Sequence, residues 1–400
     1  MRKNCLIISE VFYPEEFLIN EFASYLSEKG YNVEVLARNP SYPFGKSYPG
    51  FQNKIFQQTF LNKIKIHRIF FCPGYKKSFL VKIINYFCFI VFGSIAGLIL
   101  GRRSDVVFVY QTGPLTMAIP GVLIKKIYRR KLVIWTQDLW PETIYAYGIK
   151  KTKFLDSILG VFVSWIYKNC SHVIVTSEGF IKKLKQYYKN KSISIVHNWV
   201  PFARHNDKDI ELNLPAGFNF LFAGNIGSLQ NLDKVILGFQ LFQKDEPNCN
   251  LNIVGDGSRL DEIKALVNTR NINNVFFYGR VSQSIVPEYL NQANALIISL
   301  SKTVIGEITI PAKFPMYLSF KKPIFGIIKG DIQRLIEENK IGITSDPDDT
   351  VNISHQFKAI YNLNQAELES ISANCQTLLE REFSSDKSMH SLEQIIFFDK

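Results

Sequence analysis

Phe218-Asn219-Phe220-Leu221-Phe222-Ala223-Gly224-Asn225-Ile226-Gly227-Ser228-Leu229-Gln230 is the stretch on which the fold of this 400-residue chain turns. Phe218 to Ala223 reads as a buried strand, and the glycine-bearing turn after it opens a helix predicted from about Leu232 to Gln243. A second strand, Leu251 to Val254, ends in another such turn, Gly255-Asp256-Gly257-Ser258-Arg259. Strand, turn, helix, strand is the unit of a parallel α/β sheet. Further strands are predicted at Val275 to Tyr278, Ala295 to Ser299 and Pro323 to Ile327.

The same rhythm fills the first half. Leu6 to Ser9 is a strand, Phe12-Tyr13-Pro14 a loop, Asn20 to Lys29 a helix stopped by Gly30, and Val33 to Ala37 the next strand. Asn39-Pro40-Ser41-Tyr42-Pro43-Phe44-Gly45 follows, a loop of turn formers and aromatics, the kind that α/β domains place against substrates at strand ends. Val106 to Tyr110, Leu132 to Thr136, His172 to Thr176 and Ile193 to Val196 are strands, with helices at Leu115 to Tyr128, Phe154 to Asn169 and Glu178 to Tyr188. The polar run Arg204 to Glu211 is the expected hinge. The fold class is therefore α/β, with two Rossmann-like domains of parallel sheet facing across a cleft. Residues 1–203 form the first domain and 204–385 the second, and 386–400 form a C-terminal helix expected to return to the first.

Charge and cysteine usage narrow the setting. Lys and Arg outnumber Asp and Glu by 47 to 35, a net +12, which suits an anionic membrane face or a phosphate-rich substrate. No helix-turn-helix, zinc-ligand or aromatic RNA motif speaks for nucleic acid. Cys5, Cys72, Cys88, Cys170, Cys249 and Cys375 are scattered, the usage of reduced, buried thiols. His67, His172, His197, His205, His355 and His390 show no ligand spacing, and no metal cluster or Ser-His-Asp arrangement is read.

Ile83 to Leu100 is eighteen residues without a charge, flanked by Lys76, Lys77 and Lys82 on one side and Arg102 and Arg103 on the other. Length admits a transmembrane span. A span would put strands of one sheet on opposite sides of the bilayer, so a membrane-seated helix over 79–101 is preferred, with a core helix as the other reading.

Chemistry is expected at three places. Glycines at 224, 227 and 255 let backbone N–H groups approach a phosphate, with Asn225 beside the first turn and Arg259 adding a cation to the second. Lys313, in Ile310-Pro311-Ala312-Lys313, sits where a helix opens and calls for a compensating anion. Asp138 and Glu142 follow the strand ending in Trp135-Thr136, with Trp140 between them. Carboxylates beside an aromatic can hold sugar hydroxyls or act as a base, and helix capping by Asp138 is the structural alternative. Glu15 and Glu16 on the first loop are similar.

These elements in this order resemble retaining GT-B glycosyltransferases of glycosyltransferase family 4, and within it the L-fucosamine transferases of bacterial O-antigen and capsule clusters. The resemblance is carried by Phe12-Tyr13-Pro14-Glu15, the Asn39–Gly45 loop, Trp135-Thr136-Gln137-Asp138-Leu139-Trp140-Pro141-Glu142, Ala223-Gly224-Asn225-Ile226-Gly227, Val254-Gly255-Asp256-Gly257-Ser258, Tyr278-Gly279-Arg280-Val281 and Thr309-Ile310-Pro311-Ala312-Lys313. It implies a UDP-sugar on the second domain, against Gly224, Asn225, Gly227, Gly255, Arg259, Arg280, Val281, Glu307, Lys313 and Tyr317. It implies a polyprenyl-diphosphate-linked sugar acceptor against Pro14, Glu15, Tyr42 and Trp140, with Gln137, Asp138 and Glu142 at the reaction. It also implies retention, no metal, no cofactor beyond the nucleotide sugar, and work at the cytoplasmic face of the plasma membrane. The chain departs from the family where two Glu separated by seven residues are expected: Ile308 and Met316 stand there, with Glu307 one residue early. A nucleotide-sugar-binding scaffold subunit and a GT-B sugar-nucleotide epimerase are the competing readings.

Overall fold

The computed structural model describes residues 3–74, 78–146, 148–188, 192–201 and 213–399. The predicted hinge, Arg204 to Glu211, lies outside the described residues. The chain forms two compact units, one of residues 1–197 with 386–400 and one of 198–385.

Unit 1 begins with β1 (Asn4–Ile8), α1 (Leu18–Glu28) and β2 (Asn32–Arg38), then a hairpin of β3 (Phe56–Leu61) and β4 (Ile64–Ile69). Next come α2 (Phe79–Gly101), β5 (Val106–Gln111), α3 (Ile119–Tyr128), β6 (Lys131–Thr136), α4 (Glu142–Ala146), α5 (Lys153–Asn169), β7 (His172–Val175), α6 (Glu178–Leu184) and β8 (Ile193–Ile195). The sheet order is β3-β4-β2-β1-β5-β6-β7-β8, parallel except for the β3–β4 pair. β5 and β6 are apolar nearly throughout because helices cover both faces of the sheet. The strand pattern did not anticipate the β3–β4 hairpin; β3 is an edge strand whose side chains alternate between exposed and half-buried, so it carries little of the buried apolar signal.

α2 connects β4 to β5, crossing β2 and β1 within one sheet. A transmembrane span is thereby excluded, since both flanking strands belong to that sheet. By length and composition alone Leu80–Gly101 would cross a membrane. The helix is pinned at both ends. Near its start the buried Asn85 side chain accepts from Cys72 N (2.7 Å) and donates to Cys72 O (2.8 Å). Farther along, Gly93, Gly97 and Gly101 form a stripe against Pro120 and Ile124 of α3. A Cβ on Gly101 would stand 2.5 Å from Ile124 Cγ2. Gly101→Ala is expected to destabilise the protein by about 1–3 kcal/mol through overpacking, outweighing a helix-propensity gain of about 1 kcal/mol. A lowered thermal midpoint would show it; an unchanged or raised one would mean that α2 is loosely held.

Unit 2 runs β9 (Phe218–Ala223), α7 (Leu232–Gln243), β10 (Cys249–Val254), α8 (Leu260–Thr269), β11 (Val275–Gly279), α9 (Val286–Gln292), β12 (Ala295–Ser299), α10 (Val304–Ile308), α11 (Lys313–Ser319), β13 (Ile324–Ile327), α12 (Asp331–Glu338), β14 (Gly342–Ser345), α13 (Thr350–Tyr361) and α14 (Gln365–Glu382). Its sheet is wholly parallel, in the doubly wound order β11-β10-β9-β12-β13-β14. Apolar cores lie on both faces, one including Leu296, Phe314 and Leu318, the other Phe220, Phe239 and Phe357.

The last helix, α15 (Ser385–Phe397), packs on unit 1. Its buried Glu393 accepts from the hydroxyls of Tyr25 (2.7 Å) and Tyr31 (2.8 Å), and Lys3 Nζ donates to Phe397 O (2.8 Å).

Candidate functional site

In doubly wound sheets ligands bind outside the carboxyl ends of the strands, at the point where the strand order reverses. That point lies between β9 and β12 in unit 2 and between β1 and β5 in unit 1. Each edge carries buried polar atoms without a hydrogen-bond partner among the described residues: Lys313 Nζ and Ser299 Oγ in unit 2, and Glu10 Oε1, Gln111 Oε1, Thr112 Oγ1 and Glu142 Oε2 in unit 1. Unsatisfied buried polar atoms are expensive, and a ligand that satisfies them removes the cost.

At the unit 2 edge the chain leaves β9 through Gly224 with φ +145°. That φ is one that side-chain-bearing residues rarely adopt, and an ideal Cβ at Gly224 would lie 2.8 Å from Lys313 Nζ. Lys313 opens α11 and lays its Nζ over the Phe222 ring, 3.7 Å from the centroid. Burial pushes its pKa down to about 7. Among the described residues no carboxylate pairs with this ammonium, which lies against the glycine turn.

Other residues expected on the donor take different parts. Tyr317 is fully buried and accepts at its hydroxyl from Ala223 N (2.9 Å), which positions the end of β9. Gly255 is needed for packing: its Cβ would lie 1.8 Å from Gly224 O, and that of Gly257 2.3 Å from Ile226 O. Ile226 N donates to Asp256 O (2.9 Å) and Arg259 N to Ile226 O (3.0 Å), so the second turn buttresses the first. The Arg259 guanidinium is held by Asp233 (3.0 Å) and Glu262 (2.6 Å), which ties α8 to α7. Asn225 is exposed, with its amide 3.3 Å from Gln230 Oε1, and Gly227 N donates to that same oxygen (3.0 Å). Arg280 and Val281 follow β11 directly, and the strand's last carbonyl, Gly279 O, accepts from Gly255 N (2.8 Å). Glu307, on α10, is half-buried, and its backbone packs against Gly330, whose Cβ would meet Glu307 O at 1.9 Å. Met316, where the family has its second Glu, is half-buried on α11.

In unit 1, Asp138 follows β6, and its Oδ2 accepts from Gly113 N at 2.6 Å. The carboxylate braces the turn after β5, and the expected capping alternative gives way to this contact. Gln111 Nε2 ties the same turn, donating to Gly113 O (2.7 Å) and Asp138 O (3.0 Å). Burial holds the Asp138 carboxyl above its ordinary range, opposed by the Gly113 N–H, and burial raises Glu142 in the same way. Gln137 is half-buried, its N–H donating to Gln111 O (2.9 Å), and Trp140 is half-buried on the same loop.

Glu15 is buried, and its carboxylate accepts from Ser41 N (2.8 Å), Tyr42 N (2.6 Å) and Phe12 N (3.2 Å). It fastens the loops after β1 and β2 together. Pro14 is half-buried and Tyr42 exposed on those loops. The structure thus joins Pro14, Glu15 and Tyr42 in one cluster and Gln137, Asp138, Trp140 and Glu142 in another. Glu10, 3.7 Å from Arg38 with both side chains buried, went unnoticed in the sequence, as did Gln111, Thr112 and Ser299. Position at a strand's carboxyl end was the available signal.

Comparison with known proteins agrees with the architecture. "Glycosyltransferase Family 4" matches residues 16–204 and "Glycosyl transferases group 1" residues 204–375. The chain is 23% identical over 294 residues to the probable glycosyltransferase WbjE of Pseudomonas aeruginosa, covering 71% of this chain and 72% of that one. Solved structures with the same fold include Anabaena HepE in complex with UDP and glucose (TM-score 0.72, 12% identity, 98% of this chain and 99% of that one). WaaG, a glycosyltransferase involved in lipopolysaccharide biosynthesis, is another (0.67, 13%, 99% and 100%). The two family matches adjoin at residue 204, and the chain is a glycosyltransferase of the GT-B type.

Proposed function

We propose that unit 2 holds a UDP-sugar and that the chain transfers its sugar, with retention, to an undecaprenyl-diphosphate-linked acceptor at unit 1 in O-antigen or capsule synthesis. The observation that carries this is the Lys313 ammonium, buried beside Gly224 with no hydrogen-bond partner among the described residues. A donor diphosphate is the anion that fits such a place in a glycosyltransferase. Uridine is favoured because HepE, of the same fold, is seen with UDP. N-acetyl-L-fucosamine as the sugar, the lipid-linked acceptor, and a reaction needing neither metal nor cofactor follow from the family resemblance.

Thermal unfolding against a panel of nucleotide sugars tests the donor. At a hundredfold excess over Kd, a ligand of the native state adds about 2.7 kcal/mol, on the order of 5–10 °C in Tm. UDP and its cognate sugar should produce this, while guanosine and thymidine diphosphate sugars should not. Turnover that persists in chelator, with a product of the donor's anomeric configuration, is the expected outcome of the assay. A chelator-sensitive or inverting reaction would overturn the mechanism.

A further inference from the structure

We propose that α2 and α5 together seat unit 1 in the surface of an anionic bilayer, with α2 lying in the plane of the leaflet. This deepens the proposed function, since it rests on an acceptor whose lipid stays in the membrane.

The first observation is where exposed apolar surface lies. Leu241, Phe276, Val304 and Val351 are the exposed large hydrophobic side chains of unit 2; every other one among the described residues belongs to unit 1. On α2 they form one stripe along the whole helix, through Leu80, Ile84, Phe87, Val91, Ile95 and Ile99. The opposite face, with Asn85, Phe89, Gly93 and Gly97, is the one packed on the protein. A helix at a soluble surface would turn polar residues outward. This one turns apolar residues out, with Lys82 its one charge.

α5 repeats the pattern. Phe154, Ile158 and Val161 stand at i, i+4 and i+7, and Phe154 is 78% exposed. The two helices share a layer. The crossovers β4 to β5, β5 to β6 and β6 to β7 proceed across the sheet in one direction, and right-handed crossovers in one direction place their helices on one face. α3 lies between α2 and α5 and packs against both.

Charge decides the occupant. From Ser78 to Cys170 twelve Lys and Arg stand against four Asp and Glu. The one acidic residue on α2, α3 or α5 is Asp156, which is paired with Lys151 at 3.2 Å. Cations frame the apolar band: Lys82, Lys151 and Lys153 where α2 and α5 begin, and Arg102, Arg103 and Lys168 where they end. A second copy of this chain would bring the same positive surface against this one. An anionic leaflet takes the apolar stripes into its acyl boundary and neutralises the frame.

The test uses the full chain with vesicles of phosphatidylglycerol and phosphatidylcholine, read by flotation. The wild type should float, with only partial release in high salt, and should bind phosphatidylcholine vesicles at least about tenfold less. Phe87→Glu with Ile95→Glu, and separately Phe154→Glu with Val161→Glu, should each reduce partition by about tenfold or more. All four positions are exposed, so folding and the UDP-induced Tm shift should be unchanged. Wild-type partition of the α5 variant would overturn the two-helix seat. Complete release by salt would leave attraction by charge alone, and a soluble dimer that ignores vesicles would assign the face to a second copy; either overturns the proposal. Loss of the UDP shift with vesicle binding intact would count against the proposed donor, not against this surface.

Discussion

Lys313→Ala is expected to weaken UDP and UDP-sugar binding by about one to two decades while the protein stays folded. A charge-assisted hydrogen bond to an anion is worth roughly 1.5–3 kcal/mol, and each 1.4 kcal/mol is about tenfold in Kd. Lys313 Nζ is buried, with no hydrogen-bond partner among the described residues, so the free protein bears a desolvation cost that only the contact with the Phe222 ring offsets. Removing the ammonium therefore relieves the free state and harms the bound one. Lys313→Met, which keeps the packing on Phe222, should match alanine in affinity and raise Tm above wild type without ligand. Isothermal titration with UDP decides the matter, and wild-type affinity in both variants would remove the diphosphate from this site.

The same group gives donor binding a pH signature. With its pKa lowered from 10.5 to about 7, Lys313 is about half charged at neutral pH in the free protein. A bound diphosphate favours the charged form, so binding takes up a proton between about pH 7 and 10. Affinity should fall as pH rises through that window, and titrations in buffers of different ionisation heat should report the uptake. The unfolded chain binds more protons than the native one across the same window, so stability without ligand should rise with pH there. Both effects should vanish in Lys313→Met.

How much of this was legible beforehand depended on burial. β9, α7 and β12 follow the predicted bounds because their apolar patterns are unbroken and end in glycine or polar turns. β3 and β4 escaped because an edge hairpin with exposed glutamines and lysines makes a weaker pattern than a core strand. At the site, Lys313 was legible because a cation where a helix opens is an electrostatic anomaly. Arg259, Tyr317 and Glu15 have partners within the chain that the sequence did not reveal. Arg259 and Glu15 sit in loops and Tyr317 on α11, and only the fold shows that Asp233 and Glu262, the Ser41 and Tyr42 N–H groups and the Ala223 backbone, respectively, bond to them. Spacing along the chain locates the edge of a sheet; it does not show which side chains turn inward to hold that edge.

Asp138→Asn is expected to lower kcat by about a hundredfold or more and to leave UDP affinity within about threefold of wild type. The geometry makes asparagine the decisive replacement. Asp138 braces the turn after β5 by accepting from Gly113 N, and an asparagine oxygen can accept that same bond. If bracing were its whole part, asparagine would be nearly neutral and Asp138→Ala alone would fail. If its negative charge acts on the acceptor hydroxyl or on the charge developing at the donor sugar, both variants lose turnover. Burial raises the carboxyl's pKa, so the native state holds its proton to higher pH than the unfolded chain and the ionised form is disfavoured by folding. Asparagine removes that cost, and the variant should be at least as stable as wild type at neutral pH. A more stable protein that binds UDP and turns over slowly is the combination expected of a buried catalytic carboxylate. A variant with wild-type kcat would leave Asp138 as a brace and move the search for the reacting group to Glu142 and Glu10, each of which has one buried carboxylate oxygen with no hydrogen-bond partner among the described residues.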